Sequence, residues 1–157
     1  MKKLHRILAA ALLCGATAFV SACNQAVPGN ETACEEVQTT ELARTSQSWD
    51  GVELPDYLQG KPELVAIKYE IPAGKKLGWH HHPVMNFGIL VEGDLTIISA
   101  DGTEKVVHEG EAVVEMVGTV HHGENRGTKP VVLYMFYNAQ EGMPLSIPDP
   151  EPDSTSL

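Results

Sequence analysis

The residues of this 157-residue chain best placed to do chemistry are its histidines. Six of the seven lie between positions 80 and 122: His80, His81, His82, His108, His121 and His122. One residue separates His80 from His82, and an extended strand turns alternate side chains to the same face. Both imidazoles can then meet one point while His81 turns away. His121 comes from a distant segment and must close the set in space. Neutral imidazole suits Zn, Fe, Ni, Cu and, less strongly, Mn. The expected chemistry is that of a divalent transition metal held by His80, His82 and His121. An exposed histidine-rich loop is the alternative reading, and it weakens once the regular glycine spacing around both segments is counted. His81 and His122 are expected at the exterior or rim, His108 in solvent beside the Glu109-Gly110 turn, and His5 in the leader.

The elements that must position these side chains read as short strands and tight turns. Glu63 to Ile71 alternates, with Val65, Ile67, Tyr69 and Ile71 on one face. Asn86 to Val91 and Leu95 to Ser99 flank Glu92-Gly93-Asp94, a hairpin signal. Asp101-Gly102 leads to Thr103 to Val107, Glu109-Gly110 to Ala112 to Val114, and Val117-Gly118-Thr119 to Val120 to Gly123. Val131 to Tyr137 is the most apolar strand and is expected at the centre of a sheet. About eight short strands at regular spacing, with no long helical period, predict an all-β sandwich or barrel. Trp79, Met85, Phe87, Tyr134, Met135, Phe136 and Tyr137 are candidates to line a pocket, with ordinary core the competing reading. Both faces of the Val131 strand are apolar, so parity does not say which of its residues point inward.

Two spacings stand out. In the first, Gly74 is followed after five residues by His80 and His82, after three more by Asn86, and after six more by Gly93. In the second, Gly110 is followed by Met116, Gly118, His121 and Asn125. Together these resemble the two signature motifs of the cupin superfamily. The resemblance implies a double-stranded β-helix, or jelly-roll, barrel with His80, His82 and His121 as metal ligands. Two positions depart from the family pattern. Asn86 stands where the family usually has a metal-binding glutamate, and Met116 stands in place of a proline. Asn86 is therefore left open between weak or water-mediated ligation and a purely structural place. Without the glutamate the three imidazoles would leave the full +2 charge and open coordination positions, which is what a catalytic metal needs. Small cupins often pair by exchanging edge strands, so a homodimer through residues 49 to 60 is an open expectation.

The ends of the chain carry different information. Lys2, Lys3 and Arg6 precede an apolar run from Ile7 to Val20, which is the pattern of a secretory signal. Val20-Ser21-Ala22-Cys23 resembles the lipobox of bacterial lipoproteins, which implies cleavage after residue 22 and lipidation of Cys23. The expected organisation is a signal peptide over 1–22, a polar tether over 23–48 (with a short helix around Glu35 to Ala43 as an option), a barrel over 49–147 and a disordered acidic, proline-rich tail over 148–157. Removing the signal takes away three of the 11 basic residues and none of the 21 acidic ones, so the formal charge moves from −10 to −13. So acidic a surface repels nucleic acid and anionic headgroups, and membrane attachment would come through the lipid alone. The expected location is the bacterial cell envelope, with the domain in the periplasm and the outer membrane favoured over the inner. Cys34 would be the one remaining thiol, and no neighbouring residue suggests its activation.

Two functions fit these readings. One is a metal-dependent enzyme, dioxygenase-like or an isomerase, acting on a small molecule. The other is a barrel that holds metal or a small ligand without turning it over. An open coordination sphere favours the first, and the lack of an obvious acid or base within the motifs favours the second.

Overall fold

The structure, a computed structural model, describes residues 36 to 153. The expected signal peptide, Cys23 and Cys34 lie outside the described residues. No helix among the described residues is long and apolar enough to cross a membrane. Within the compact unit Thr39–Leu157 the described residues form nine strands: β1 Pro62–Ile71, β2 His80–His81, β3 Met85–Glu92, β4 Leu95–Ser99, β5 Glu104–Val107, β6 Ala112–Val114, β7 His121–Glu124, β8 Val131–Gln140 and β9 Ile147–Pro148. They make two antiparallel sheets, ordered β1-β8-β3-β6 and β5-β4-β7-β2-β9. The molecule is the all-β double-stranded β-helix that the strand pattern and the motif resemblance led one to expect.

The apolar stripes read from the sequence are the faces that meet between the sheets. In β1, Val65, Ile67 and Tyr69 pack against the core and Ile71 lies inside it. β8 is an interior strand of its sheet, and its alternation settles the parity question. Val131, Leu133, Met135, Tyr137 and Ala139 are buried, while Tyr134 and Phe136 face outward. Phe136 stacks instead on Phe87 of β3, on the outer side of the same sheet. All five residues of β4 are buried. Burial of this kind stabilises by roughly 1.5–3 kcal/mol for each large apolar side chain, and it holds the two sheets at a fixed separation.

The two histidine-bearing segments are hydrogen-bonded to each other. Gly74 N–H donates to Asn125 O, Asn125 N–H to Lys75 O, and Leu77 N–H to Gly123 O, each at 2.9 Å. Gly118 N–H donates to His82 O at 2.9 Å. Asn125, the last residue of the second motif, is 2% exposed and ties three places together. Its amide donates to Ile71 O and Lys129 O, and its oxygen accepts from Gly127 N–H.

Just before Trp49, Ser48 is buried and Gln47 bridges to Glu53. Three expectations change. The residues from 36 to 43 form no helix. Glu92-Gly93-Asp94 closes no hairpin, because β3 and β4 belong to different sheets and the turn carries the chain from one to the other. The acidic, proline-rich tail does not begin as disorder: Ile147–Pro148 is strand β9, paired with β2, and Asp149 N–H donates to Trp79 O. Proline excludes a residue from a central strand, but β9 is an edge strand, where the missing N–H has no ladder partner to lose.

Candidate metal centre

Local sequence explains how the histidines converge. His80 lies on β2, which pairs with β7 by setting His80 opposite His121. His82 follows two residues later on the same face and bridges to Val117. One donor atom from each of His80, His82 and His121 falls within 4.8 Å of the others. The ring centroids are 4.9 Å apart for His80 and His82, 4.6 Å for His80 and His121, and 5.1 Å for His82 and His121. Among the described residues this is the group with metal-ligand spacing.

Each ring is oriented by a backbone carbonyl. His80 Nδ1 lies 2.8 Å from Gly78 O, His82 Nδ1 2.8 Å from Leu145 O, and His121 Nδ1 2.7 Å from Thr119 O. A carbonyl can only accept, so in each case Nδ1–H donates and the proton is fixed there. The Nε2 lone pair of every ring is then free to face the common centre. This second contact on a ligating imidazole is what sets tautomer and direction in metal sites. His121 Nε2 is buried and has no hydrogen-bond partner. The donor set therefore fits a divalent transition ion.

The electrostatics favour neutral imidazole at His80 and His82. Burial pushes the His80 imidazole below its ordinary value and takes His82 down to about 4. His121 behaves differently. Burial pulls it down as well, but the adjacent Glu115 carboxylate outweighs this, and the net direction is upward. Burial would raise Glu115, yet His121, helped by His82 and His80, more than offsets that and the carboxyl lies below its usual range. Neutral imidazole and ionised carboxylate are the forms that bind a metal.

Above the histidines is a small cavity lined by Tyr69, Leu77, Leu95, Ile97, Glu115, Leu133, Met135 and Tyr137. It leaves about 30 Å³ for the centres of water-sized particles, room for about two water molecules. The Tyr69 and Tyr137 hydroxyls lie 3.1 Å apart, and the Tyr137 ring meets His82 edge-on at 5.6 Å.

The other sequence candidates sort as follows. Asn86 is 1% exposed, and its amide reaches only Val84 O, at 3.4 Å. Its oxygen has no hydrogen-bond partner, and it does not border the histidine cavity. Met116 is buried at 1%. His81 faces away from the cluster and pairs with Asp149 at 2.6 Å, and His108 is exposed and pairs with Asp94. His122 departs from expectation. It points away from His121 but is buried, 4% exposed, under Trp79 at 4.2 Å between ring centroids. The Trp79 indole covers what an open strand would have left at the rim. Of the aromatic and methionine candidates, Met135 and Tyr137 line the cavity, while Trp79, Met85, Phe87, Tyr134 and Phe136 do not.

Sequence reading passed over Glu115. It is 5% exposed, it borders the cavity, and its Oε2 lies 2.9 Å from His121 Nε2. Its signal was available: it is an acidic residue flanked by Val113, Val114, Met116 and Val117 inside the second motif, and buried acids rarely occur without a partner.

Residues 67–137 match the family model described as cupin domain. No curated protein matches the chain. Among solved structures, a protein from Neisseria meningitidis is 25% identical, with a TM-score of 0.42, over 55% of this chain and 89% of that one. DMSP lyase DddQ from Ruegeria pomeroyi is 18% identical, with a TM-score of 0.49, over 56% of this chain and 45% of the lyase. A conserved Klebsiella pneumoniae protein described by its double-stranded β-helix domain is 16% identical, with a TM-score of 0.47, over 59% of this chain and 90% of that one.

Proposed function

We propose that this chain is a metal-binding cupin of the bacterial cell envelope, anchored by a lipid on Cys23, whose three-histidine centre performs dioxygenase-like chemistry on a small molecule. The observation that carries the reading is the shared orientation of His80, His82 and His121. Three separate carbonyls hold the three Nδ1–H groups, leaving three convergent Nε2 atoms. A divalent ion bound there would supply Lewis-acid or redox chemistry at positions the protein leaves open. The chain's own part is to fix the ligands and to keep the site dry. Leu95, Ile97, Leu133 and Met135 form apolar walls, and the Tyr69–Tyr137 hydroxyl pair offers a polar contact at the cavity.

The cavity supports a second reading, in which the protein holds metal or a small ligand without turnover. With room for about two water molecules, a substrate larger than a few atoms must widen it. Elemental analysis of the full chain, purified without chelator or affinity nickel, comes first. Stoichiometric iron followed by oxygen consumption with small chelating acids, diketones or thiols would support the enzyme, and zinc or manganese would direct the screen to isomerase chemistry. Bound metal with no turnover in either screen would favour the binding protein. For the anchor, Cys23→Ser is expected to release the chain from the membrane fraction, and a variant still wholly in that fraction would refute lipidation there. The homodimer is likewise open to direct measurement of solution mass.

A further inference from the structure

The family's motif acid is missing at Asn86, but the fold places an acid beside it. β3 pairs with β6 in the register Phe87↔Val114, Gly88↔Val113 and Ile89↔Ala112. Carried on by one residue, that register sets Asn86 opposite Glu115, and Glu115 N–H donates to Asn86 O at 3.1 Å. Directly opposed residues on neighbouring strands share a face. Both side chains are therefore buried on the inner side, but only Glu115 reaches the histidine cavity.

Three further observations point from Glu115 to a metal. Glu115 is 5% exposed, and its Oε2 has no hydrogen-bond partner, which is costly for a buried carboxylate. The nearest donor atom is His121 Nε2, at 2.9 Å, and it too lacks a hydrogen-bond partner. Two ligands at right angles on one ion, each bonded at about 2.0–2.1 Å, lie about 2.9 Å apart. The pair thus has the spacing of two adjacent ligands. The three imidazoles alone share the 4.8 Å sphere, so the Glu115 carboxylate, close to His121, must swing toward the other two rings to join them on one ion.

We propose that Glu115 is the carboxylate of the metal centre, moved from β3 to the residue that follows the neighbouring strand β6, so that the site is three histidines and one acid. This rests on the three-histidine reading and adds to it. The bound divalent ion would carry a net charge of one rather than two, and two of six positions would stay open, enough for a small bidentate ligand.

The test measures Mn(II) and Zn(II) affinity of the full chain by chelator competition, and the visible spectrum of the Co(II)-loaded protein. Wild type is compared with His121→Ala, Glu115→Gln and the double variant Asn86→Glu/Glu115→Gln. Glu115→Gln is expected to weaken metal binding by roughly 100-fold or more, beyond the loss of an outer-shell partner, and to shift the Co(II) spectrum. The double variant, with the acid returned to β3, is expected to recover part of that loss. Loss of metal in His121→Ala with wild-type affinity and spectrum in Glu115→Gln would overturn the Glu115 assignment and leave the histidine site standing. Full metal retention in His121→Ala would overturn both. Should Glu115→Gln fail to fold, Glu115→Asp keeps the charge on a shorter arm, and an unchanged Co(II) spectrum there would overturn the assignment.

Discussion

His121→Ala is expected to lose stoichiometric divalent metal, His82→Ala to do the same, and His81→Ala to keep it. Removing a residue that merely orients a ligand costs about 10- to 100-fold in metal affinity, so removing a ligand is expected to cost roughly 100-fold or more. His121 should be the more damaging of the two. Its ring is 2% exposed, it lies opposite His80 across β2 and β7, and its Nε2 lies 2.9 Å from buried Glu115. The alanine variant leaves that carboxylate facing an empty space, so circular dichroism must show that the variant is folded before its affinity is compared. His81 is the matched control from the same strand. Its ring faces the other way, toward Asp149, and is partly exposed, where such a pair contributes about 0–1 kcal/mol. Isothermal titration with Zn(II) or Mn(II) reads all three variants. Equal affinities for His81→Ala and His121→Ala would remove the basis for the site.

Gly93→Ala is expected to lower stability by about 2–5 kcal/mol, and Gly74→Ala by only about 1–2 kcal/mol, in chemical denaturation. Both are motif glycines at positive φ, +80° and +72°. A side chain in that region costs about 1–2 kcal/mol, and this applies to both. The surroundings then separate them. A Cβ on Gly74 meets nothing within 4 Å, whereas one on Gly93 would lie 2.7 Å from Pro130 O and 3.2 Å from a Val131 methyl. Pro130 and Val131 start the central strand β8, which cannot retreat without disturbing its pairing with both β1 and β3. Overpacking of that kind adds about 1–3 kcal/mol. Because Gly93 lies in the turn that carries the chain from β3 in one sheet to β4 in the other, and does not line the histidine cavity, the folded fraction of Gly93→Ala should keep its metal affinity. Identical losses for the two glycines would mean that backbone strain alone governs both.

The parts of the molecule that follow a period were legible in the sequence. Val65, Ile67, Tyr69 and Ile71 fall on one face because strand side chains alternate, and His80 and His82 share a face for the same reason. The β8 parity was not legible, because Tyr134 and Phe136 are as apolar as Leu133 and Met135. Only the pairing Ile67↔Met135 and the neighbouring sheet decide which set goes inside. Glu115 was missed because its partner, His121, lies six residues away across a turn. A lone acid among valines looks like an outward-facing strand residue until β6 is placed beside β3. His122 was expected at the surface on the strength of alternation alone, which gives direction but not cover; Trp79 supplies the cover. The tail was judged by composition, and composition does not say that an edge strand accepts proline.

The carbonyl that orients His82 belongs to Leu145, 63 residues further along the chain. Strand β9, which flanks β2, begins two residues after it. A polypeptide made from its N-terminus therefore exposes His80, His82 and His121 well before the residue that steers His82 has been synthesised. A growing chain can offer ions a loose group of imidazoles but not the finished geometry. Discrimination between competing ions would then belong to the completed molecule.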